Sequence, residues 1–220
     1  MKRIVLIPAY EPDDKLLELV NKIDKNYEIV VVDDGSKDKT IFEKIDSLVH
    51  LVSYKTNRGK GYALKQGFKY IKTHFKNYIV VCVDADMQHD LTDAYNLCDY
   101  AEKHDNELVI GRRHWGIDDP LSNRMGNAIT RRVFKRKTGL AIYDTQSGLR
   151  AFSYKLIDYM LSIKGERYEY EMNILLNLKK NKIPFHEIDI KTIYIDKNQT
   201  SHFRAIKDSY RIYKDIAKFK

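Results

Sequence analysis

The unbroken apolar run Ile79-Val-Val-Cys-Val83 ends directly in Asp84-Ala85-Asp86-Met87-Gln88-His89-Asp90. A short, β-branched run without polar alternation reads as a buried strand. Its polar end is more specific. Residues at i, i+2 and i+4 of an extended segment project to one side. Asp84, Asp86 and Gln88 therefore converge just past the strand's carboxyl end, where open α/β sheets bind ligands. Two carboxylates and an amide carbonyl are hard oxygen donors suited to Mg²⁺ or Mn²⁺, ions that also bind substrate phosphates. A polar turn closing a core strand would use the same residues without any chemistry. The remainder of the chain decides between the two.

Upstream, strands and helices alternate. Arg3 to Ile7 reads as a first strand stopped by Pro8, and Glu28 to Asp33 as a second buried strand. Leu48 to Tyr54 gives a third. Between the first two, Asp13 or Asp14 can cap a helix with Leu16, Leu17, Val20 and Ile23 at helical spacing. Further helices are expected from Lys39 to Ile45, Tyr62 to about Lys72 and Thr92 to Lys103, with a strand from Glu107 to Gly111. Such alternation predicts an α/β fold with a mostly parallel sheet flanked by helices. Gly59-Lys60-Gly61 opens the third helix. It lacks the spacing of a Walker loop, and reads either as a glycine turn with solvated lysines or as a turn facing a diphosphate.

The second half is more polar. A helix is expected from Ser122 towards Lys137, then a polar stretch, Tyr143 to Phe152, feeding a short strand. Helical segments at Tyr154 to Ile163 and Tyr170 to Lys180 precede a strand from Phe185 to Ile195. The tail from Arg204 to Lys220 places Ile206, Tyr210, Tyr213 and Ile216 at helical spacing among basic residues. It reads as a terminal helix packed on the domain or as an amphipathic helix on an anionic membrane. With no linker or repeat, residues 1–220 read as one domain. Residues 1–111 form a nucleotide-sugar-binding half, and residues 112–220 an acceptor half with the terminal helix.

A net charge of +8 calls for an anionic partner without choosing one. Nucleic acid is not expected, because no basic-aromatic stripe or zinc spacing accompanies the charge. Cys82 and Cys98 read as buried free thiols of a reducing cytosol. No leader peptide or membrane-length apolar run is visible. The expected location is cytoplasmic, at most peripheral at the inner face of the cell membrane.

Taken in order, these pieces resemble the family 2 glycosyltransferases, most closely the polyprenyl-phosphate transferases of the dolichol-phosphate-mannose-synthase kind. The resemblance rests on Ile7-Pro8-Ala9-Tyr10, Val31-Val-Asp33-Asp34-Gly-Ser36, Gly59-Lys60-Gly61 and Asp84-Ala-Asp86-Met-Gln88-His89. Val109-Ile-Gly111 with Arg113, Arg124 with Gly126-Asn127, Asp144-Thr-Gln146-Ser-Gly148-Leu-Arg150 and Ser201-His202-Phe-Arg204 complete it. It implies a GT-A fold, a UDP- or GDP-linked sugar donor, a divalent metal and a polyprenyl phosphate acceptor, with a homodimer compatible. Pro8, Ala9, Tyr10 and Asp34 would line the base and ribose, with Lys60, Asp84 and Ala85 beside the diphosphate. Asp86 and Gln88 would reach the metal. Arg113 and Arg124 would hold the acceptor phosphate, and His202 and Arg204 would close on the phosphates. Asp144 and Gln146 would sit near the transferred sugar. The family's usual Asn-Glu after Pro-Ala-Tyr is Glu11-Pro12 here, and the proline common after Gln-His-Asp is Leu91. The spanning tail of some relatives is missing.

A lipid phosphate is mostly dianionic at neutral pH and needs positioning rather than a general base. A hydroxyl acceptor on a growing cell-surface glycan would instead need a carboxylate such as Asp144 as base. A catalytically dead nucleotide-sugar-binding module is the remaining alternative. Simpler roles stand beside the catalytic ones: Asp33 and Asp34 as helix caps, Asp144 as a turn residue, and Arg113 and Arg124 as surface charges.

Overall fold

A computed structural model describes residues 1–114, 121–193 and 205–219. The first half runs β1 (Lys2–Ala9), α1 (Asp14–Lys22), β2 (Tyr27–Asp33), α2 (Thr40–Ile45), β3 (His50–Ser53), α3 (Lys60–His74), β4 (Tyr78–Cys82), α4 (Leu91–Lys103) and β5 (Leu108–Arg113). There follow α5 (Leu121–Thr138), β6 (Arg150–Ser153), α6 (Ile157–Ser162), α7 (Glu169–Asn177), β7 (Phe185–Ile190) and α8 (Ala205–Lys218).

The strands form one seven-stranded sheet in the order β3-β2-β1-β4-β6-β5-β7. Pairing is parallel throughout except at β6, which runs antiparallel to both β4 and β5. The apolar run of β4 has its expected cause. Val80 and Cys82 face a core shared with α3, α5, α6, α7 and α8, whereas Ile79, Val81 and Val83 face one shared with α1, α2 and α4. Both faces of the strand are buried, so no position on it can be polar.

Local signals account for the helix starts. The Asp13 carboxylate accepts from the Lys15 N–H at the start of α1, and Asp90 accepts from Thr92 at the start of α4. Pro8 does not end β1, contrary to the sequence reading. The Leu6 carbonyl accepts from Val83, so Leu6 and therefore Pro8 face the β4 side. There β4 pairs only as far as Leu6, and the missing N–H of Pro8 costs no ladder bond.

The tail helix α8 packs on α5 and α7. Ile212 and Ile216 are buried, Asn173 donates to Asp215, and the Tyr213 and Thr130 hydroxyls lie 2.9 Å apart. Among the described residues no helix is long and apolar enough to cross a membrane.

Candidate active site at the carboxyl edge of the sheet

The carboxyl ends of β1, β2 and β4 bring three of the singled-out motifs to one edge of the sheet: Pro8-Ala9-Tyr10, Asp33-Asp34 and Asp84-Ala85-Asp86. The side chains there are tied to one another in two charge clusters and a braced loop.

The braced loop centres on Asp34. Its buried carboxylate accepts from the Tyr54 hydroxyl (2.7 Å), the Arg58 N–H (2.8 Å), the Asn57 amide (2.9 Å) and the Gly59 N–H (2.7 Å). Asp34 thus holds the turn that starts α3. Asp33, also buried, accepts from the Ser36 N–H and the Ser53 hydroxyl and pairs with Lys39. Neither aspartate caps α2, so the helix-cap alternative fails; Asp38 takes the Thr40 N–H instead. Gly59 has φ +108° and its backbone lies against Glu166 and Arg167, a conformation and a closeness that only glycine allows.

The first charge cluster is built by Lys60. Its ammonium is 2.7 Å from Asp84 and 3.1 Å from Glu171, with the side chain only 16% exposed. It is not a solvated lysine. Burial alone would lower its pKa, but the two carboxylates outweigh that and raise it. Asp84 also has His89 Nε2 at 3.5 Å. Burial pushes the Asp84 carboxyl up, yet Lys60 and His89 prevail and hold it far below the usual carboxylate range. Asp86 differs. Burial and then the negative charge of Asp84 push it above its ordinary value, and the Gln88 N–H at 3.1 Å offsets this only in part. One carboxylate is thus neutralised and its neighbour is short of positive charge.

The second cluster is Arg113 with Asp144. Asp144 is fully buried and accepts from Arg113 Nε at 2.7 Å and Nη2 at 3.2 Å, the two-pronged geometry of a strong guanidinium–carboxylate pair. The Gln146 N–H also donates to Asp144, which makes it a turn residue as well. Gln146 itself is exposed. Glu187 of β7 braces the loop by accepting from the Tyr143 and Asp144 N–H groups. Gly148 joins the clusters: a Cβ there would lie 2.7 Å from Asp84 and 3.0 Å from Lys60.

Sequence reasoning reads Tyr168–Glu171 as a helix-start or interface feature bordering the acceptor at most, and names Arg150 only within the Asp144–Phe152 motif, so it gives neither residue its place in the site. Glu171 faces Lys60 from the first turn of α7, and its carbonyl accepts from buried Arg150 at 2.7 Å. Thr145 Oγ1 and Ser147 Oγ in the loop before β6, and Arg150 Nη2 at the start of β6, are buried without a hydrogen-bond partner, a concentration that calls for an explanation such as a functional role. No local pattern ties Glu171 to Lys60; it lies between two core residues, Tyr170 and Met172. His202, Arg204 and the side chain of Arg124 lie outside the described residues.

Residues 4–166 match glycosyl transferase family 2. The chain belongs to that family. It is 30% identical to the UDP-N-acetylglucosamine–dolichyl-phosphate N-acetylglucosaminyltransferase of Methanococcus voltae, over 87% of this chain and 86% of that one. It is 27% identical to the dolichyl-phosphate β-glucosyltransferase of Dictyostelium discoideum, over 98% of this chain and 73% of that one. Among solved structures, its fold is similar to glucosyl-3-phosphoglycerate synthase from Mycobacterium tuberculosis, determined with Mn²⁺, UDP and glucosyl-3-phosphoglycerate. The TM-score is 0.71 at 18% identity, covering 96% of this chain and 77% of the other. The protein is a nucleotide-sugar glycosyltransferase of GT-A fold, as its motifs implied.

Proposed function

We propose that this glycosyltransferase moves a sugar from a UDP- or GDP-linked donor to a polyprenyl phosphate at a membrane face, with inversion and with help from a divalent cation. The observation that carries the choice of acceptor is the state of Asp144. A hydroxyl acceptor needs a general base there, and Arg113 and the Gln146 N–H already occupy both Asp144 oxygens. A phosphate dianion needs no base. The dolichyl-phosphate transferases among its relatives support the same choice.

In this reading Asp144 fixes the guanidinium plane of Arg113, whose fork suits an acceptor phosphate, and Arg124 joins it. Gln146, exposed on the same loop, meets the transferred sugar. Pro8, Ala9 and Tyr10 line the nucleoside. Asp34 serves it by holding the Asn57–Gly59 turn in place. Asp84, Ala85 and Lys60 stand beside the diphosphate, and His202 and Arg204 close over it. Lys60, held between Asp84 and Glu171, supplies a cation for charge that grows on the leaving oxygens.

Asp86 and Gln88 fit a divalent cation. Such an ion keeps several waters and shares the substrate's phosphate oxygens, so it asks for only one or two protein carboxylates. Asp86, short of positive charge, is a suitable one. Among the described residues no group of three or more His, Cys, Asp or Glu side chains forms a cage of its own. A bound cation would offset charge on the departing nucleoside diphosphate.

The test is nucleotide release from a panel of UDP- and GDP-sugars, with Mg²⁺ or Mn²⁺, with and without a polyprenyl phosphate. Release that requires lipid phosphate and metal, and disappears in Asp86→Ala, is the expected result. Turnover unaffected by any prenyl phosphate would overturn the acceptor, and turnover unaffected by chelator would overturn the metal.

A further inference from the structure

Arg150 opens β6 opposite Cys82 of β4 and Ile110 of β5. Two residues before core Phe152, it projects to the same side of the sheet, the side covered by α3 and α7. It is only 4% exposed, and among the described residues it enters no ion pair. Nε donates to the Ser147 carbonyl at 3.1 Å and Nη1 to the Glu171 carbonyl at 2.7 Å, while Nη2 has no partner. Cys82, Tyr159 and Tyr170 feel its charge, yet burial pushes all three acid groups up and keeps them neutral. None of them is its counter-ion. Burying a cation on these terms is costly, and an apolar side chain of similar volume often serves stability as well or better. Stability does not explain Arg150; the groups it holds do.

Its two acceptors belong to the two walls around the Lys60 ammonium. Gly148 follows Ser147, and a Cβ on it would lie 3.0 Å from Lys60 Nζ and 2.7 Å from Asp84. Glu171 sets its carboxylate 3.1 Å from the same ammonium. The walls lie more than twenty residues apart in the chain, in the loop before β6 and in the first turn of α7. A guanidinium is planar, so its two bonds run in fixed directions and the walls cannot shift independently. A lysine in its place has no such fork.

We propose that Arg150 is a positioning residue for sugar transfer. By fastening the Ser147–Gly148 turn and Glu171 to one rigid plane, it fixes where Lys60 meets the departing diphosphate. The inference rests on the proposed role of Lys60 and not on the identity of the acceptor. Arg150 touches neither substrate nor leaving group and acts only through Lys60.

The experiment is calorimetric titration of UDP and GDP, with Mg²⁺, into the full chain, which needs no acceptor. UMP and GMP, which lack the outer phosphate, are the controls. Arg150→Met should weaken binding of the preferred diphosphate about tenfold, part of what a charge-assisted contact contributes, and should leave the monophosphate within about threefold. Arg150→Lys, which keeps the charge without the fork, should lose as much and stands in should the methionine variant fail to fold. Lys60→Met/Arg150→Met should bind the diphosphate no more weakly than Lys60→Met alone. Urea melts check that each variant is folded. Wild-type-like diphosphate binding by Arg150→Met or by Arg150→Lys overturns the inference. So does an equal loss for the monophosphate, which marks general damage to the site, and so do losses that add in the double variant. Undiminished binding by Lys60→Met would sink the proposed role of Lys60 and the inference with it. Turnover indifferent to every prenyl phosphate would sink the acceptor alone and leave the binding result standing.

Discussion

Gly148→Ala should separate the chemistry of this site from its architecture. The added methyl would sit 2.7 Å from Asp84 Oδ2 and 3.0 Å from Lys60 Nζ, both of them the ends of flexible side chains. Ordinary contact begins near 3.4 Å, so the carboxylate must retreat by about 0.7 Å or rotate away from Lys60. No backbone atom is among the nearest contacts, so the fold should survive with a loss of no more than about 1–2 kcal/mol. Catalysis should suffer more, because a misplacement of about 1 Å at a reacting centre can cost about a hundredfold. A fall in kcat/KM of roughly thirty- to a hundredfold, or about 2–3 kcal/mol of transition-state stabilisation, is expected. The assay is nucleotide release with donor and lipid phosphate, paired with a urea melt of the same preparation. A kcat/KM within about threefold of wild type would refute the placement of Asp84 at the reacting diphosphate. A collapse in the melt would show that Gly148 serves the fold instead.

Gly59→Ala should behave in the opposite way: φ is +108° and the Glu166 carbonyl lies 2.8 Å from the new Cβ, so the urea midpoint should fall by the equivalent of about 2–4 kcal/mol. Arg113→Ala strands the buried Asp144 carboxylate. Because the arginine is partly exposed, the expected loss is about 2–4 kcal/mol, and Arg113→Ala/Asp144→Ala should recover part of it in the same melts. Asp33 contributes to acid sensitivity. Burial pushes its carboxyl up, but Lys39 and the Ser36 and Ser53 donors win, and its folded pKa is lowered. Its stabilisation is therefore complete above the unfolded value near about 4 and lost as pH falls below it. Stability measured against pH should show a shallower acid limb in Asp33→Asn than in the wild type; an identical limb would refute this.

What could be read from the sequence, and what could not, divides along the range of the interactions involved. The unbroken run in β4, the Asp13 and Asp90 caps and the spacing of Asp84, Asp86 and Gln88 are local, and local geometry is written in periodicity. Lys60 was ambiguous because its two partners lie far along the chain, one at the end of β4 and one in α7. Glu171 read only as part of a helix start: a single carboxylate between core residues has no period, and only the fold brings it to Lys60. Asp34 and Asp33 carried the right motif, yet their bonds to Asn57, Gly59 and Ser53 follow from β2 and β3 lying side by side. The antiparallel insertion of β6 between β4 and β5 was equally hidden, since a four-residue strand carries no sign of its direction. That insertion positions the site, because it carries the Asp144–Gly148 loop to the end of β4 and sets Gly148 against Asp84. The acidic motif is local because Asp84, Asp86 and Gln88 share one short segment. The cations that balance it reach in on long side chains from anywhere in the fold. A sequence of this kind therefore announces its acidic half and leaves the partners of Lys60, Arg113 and Arg150 to be found in three dimensions.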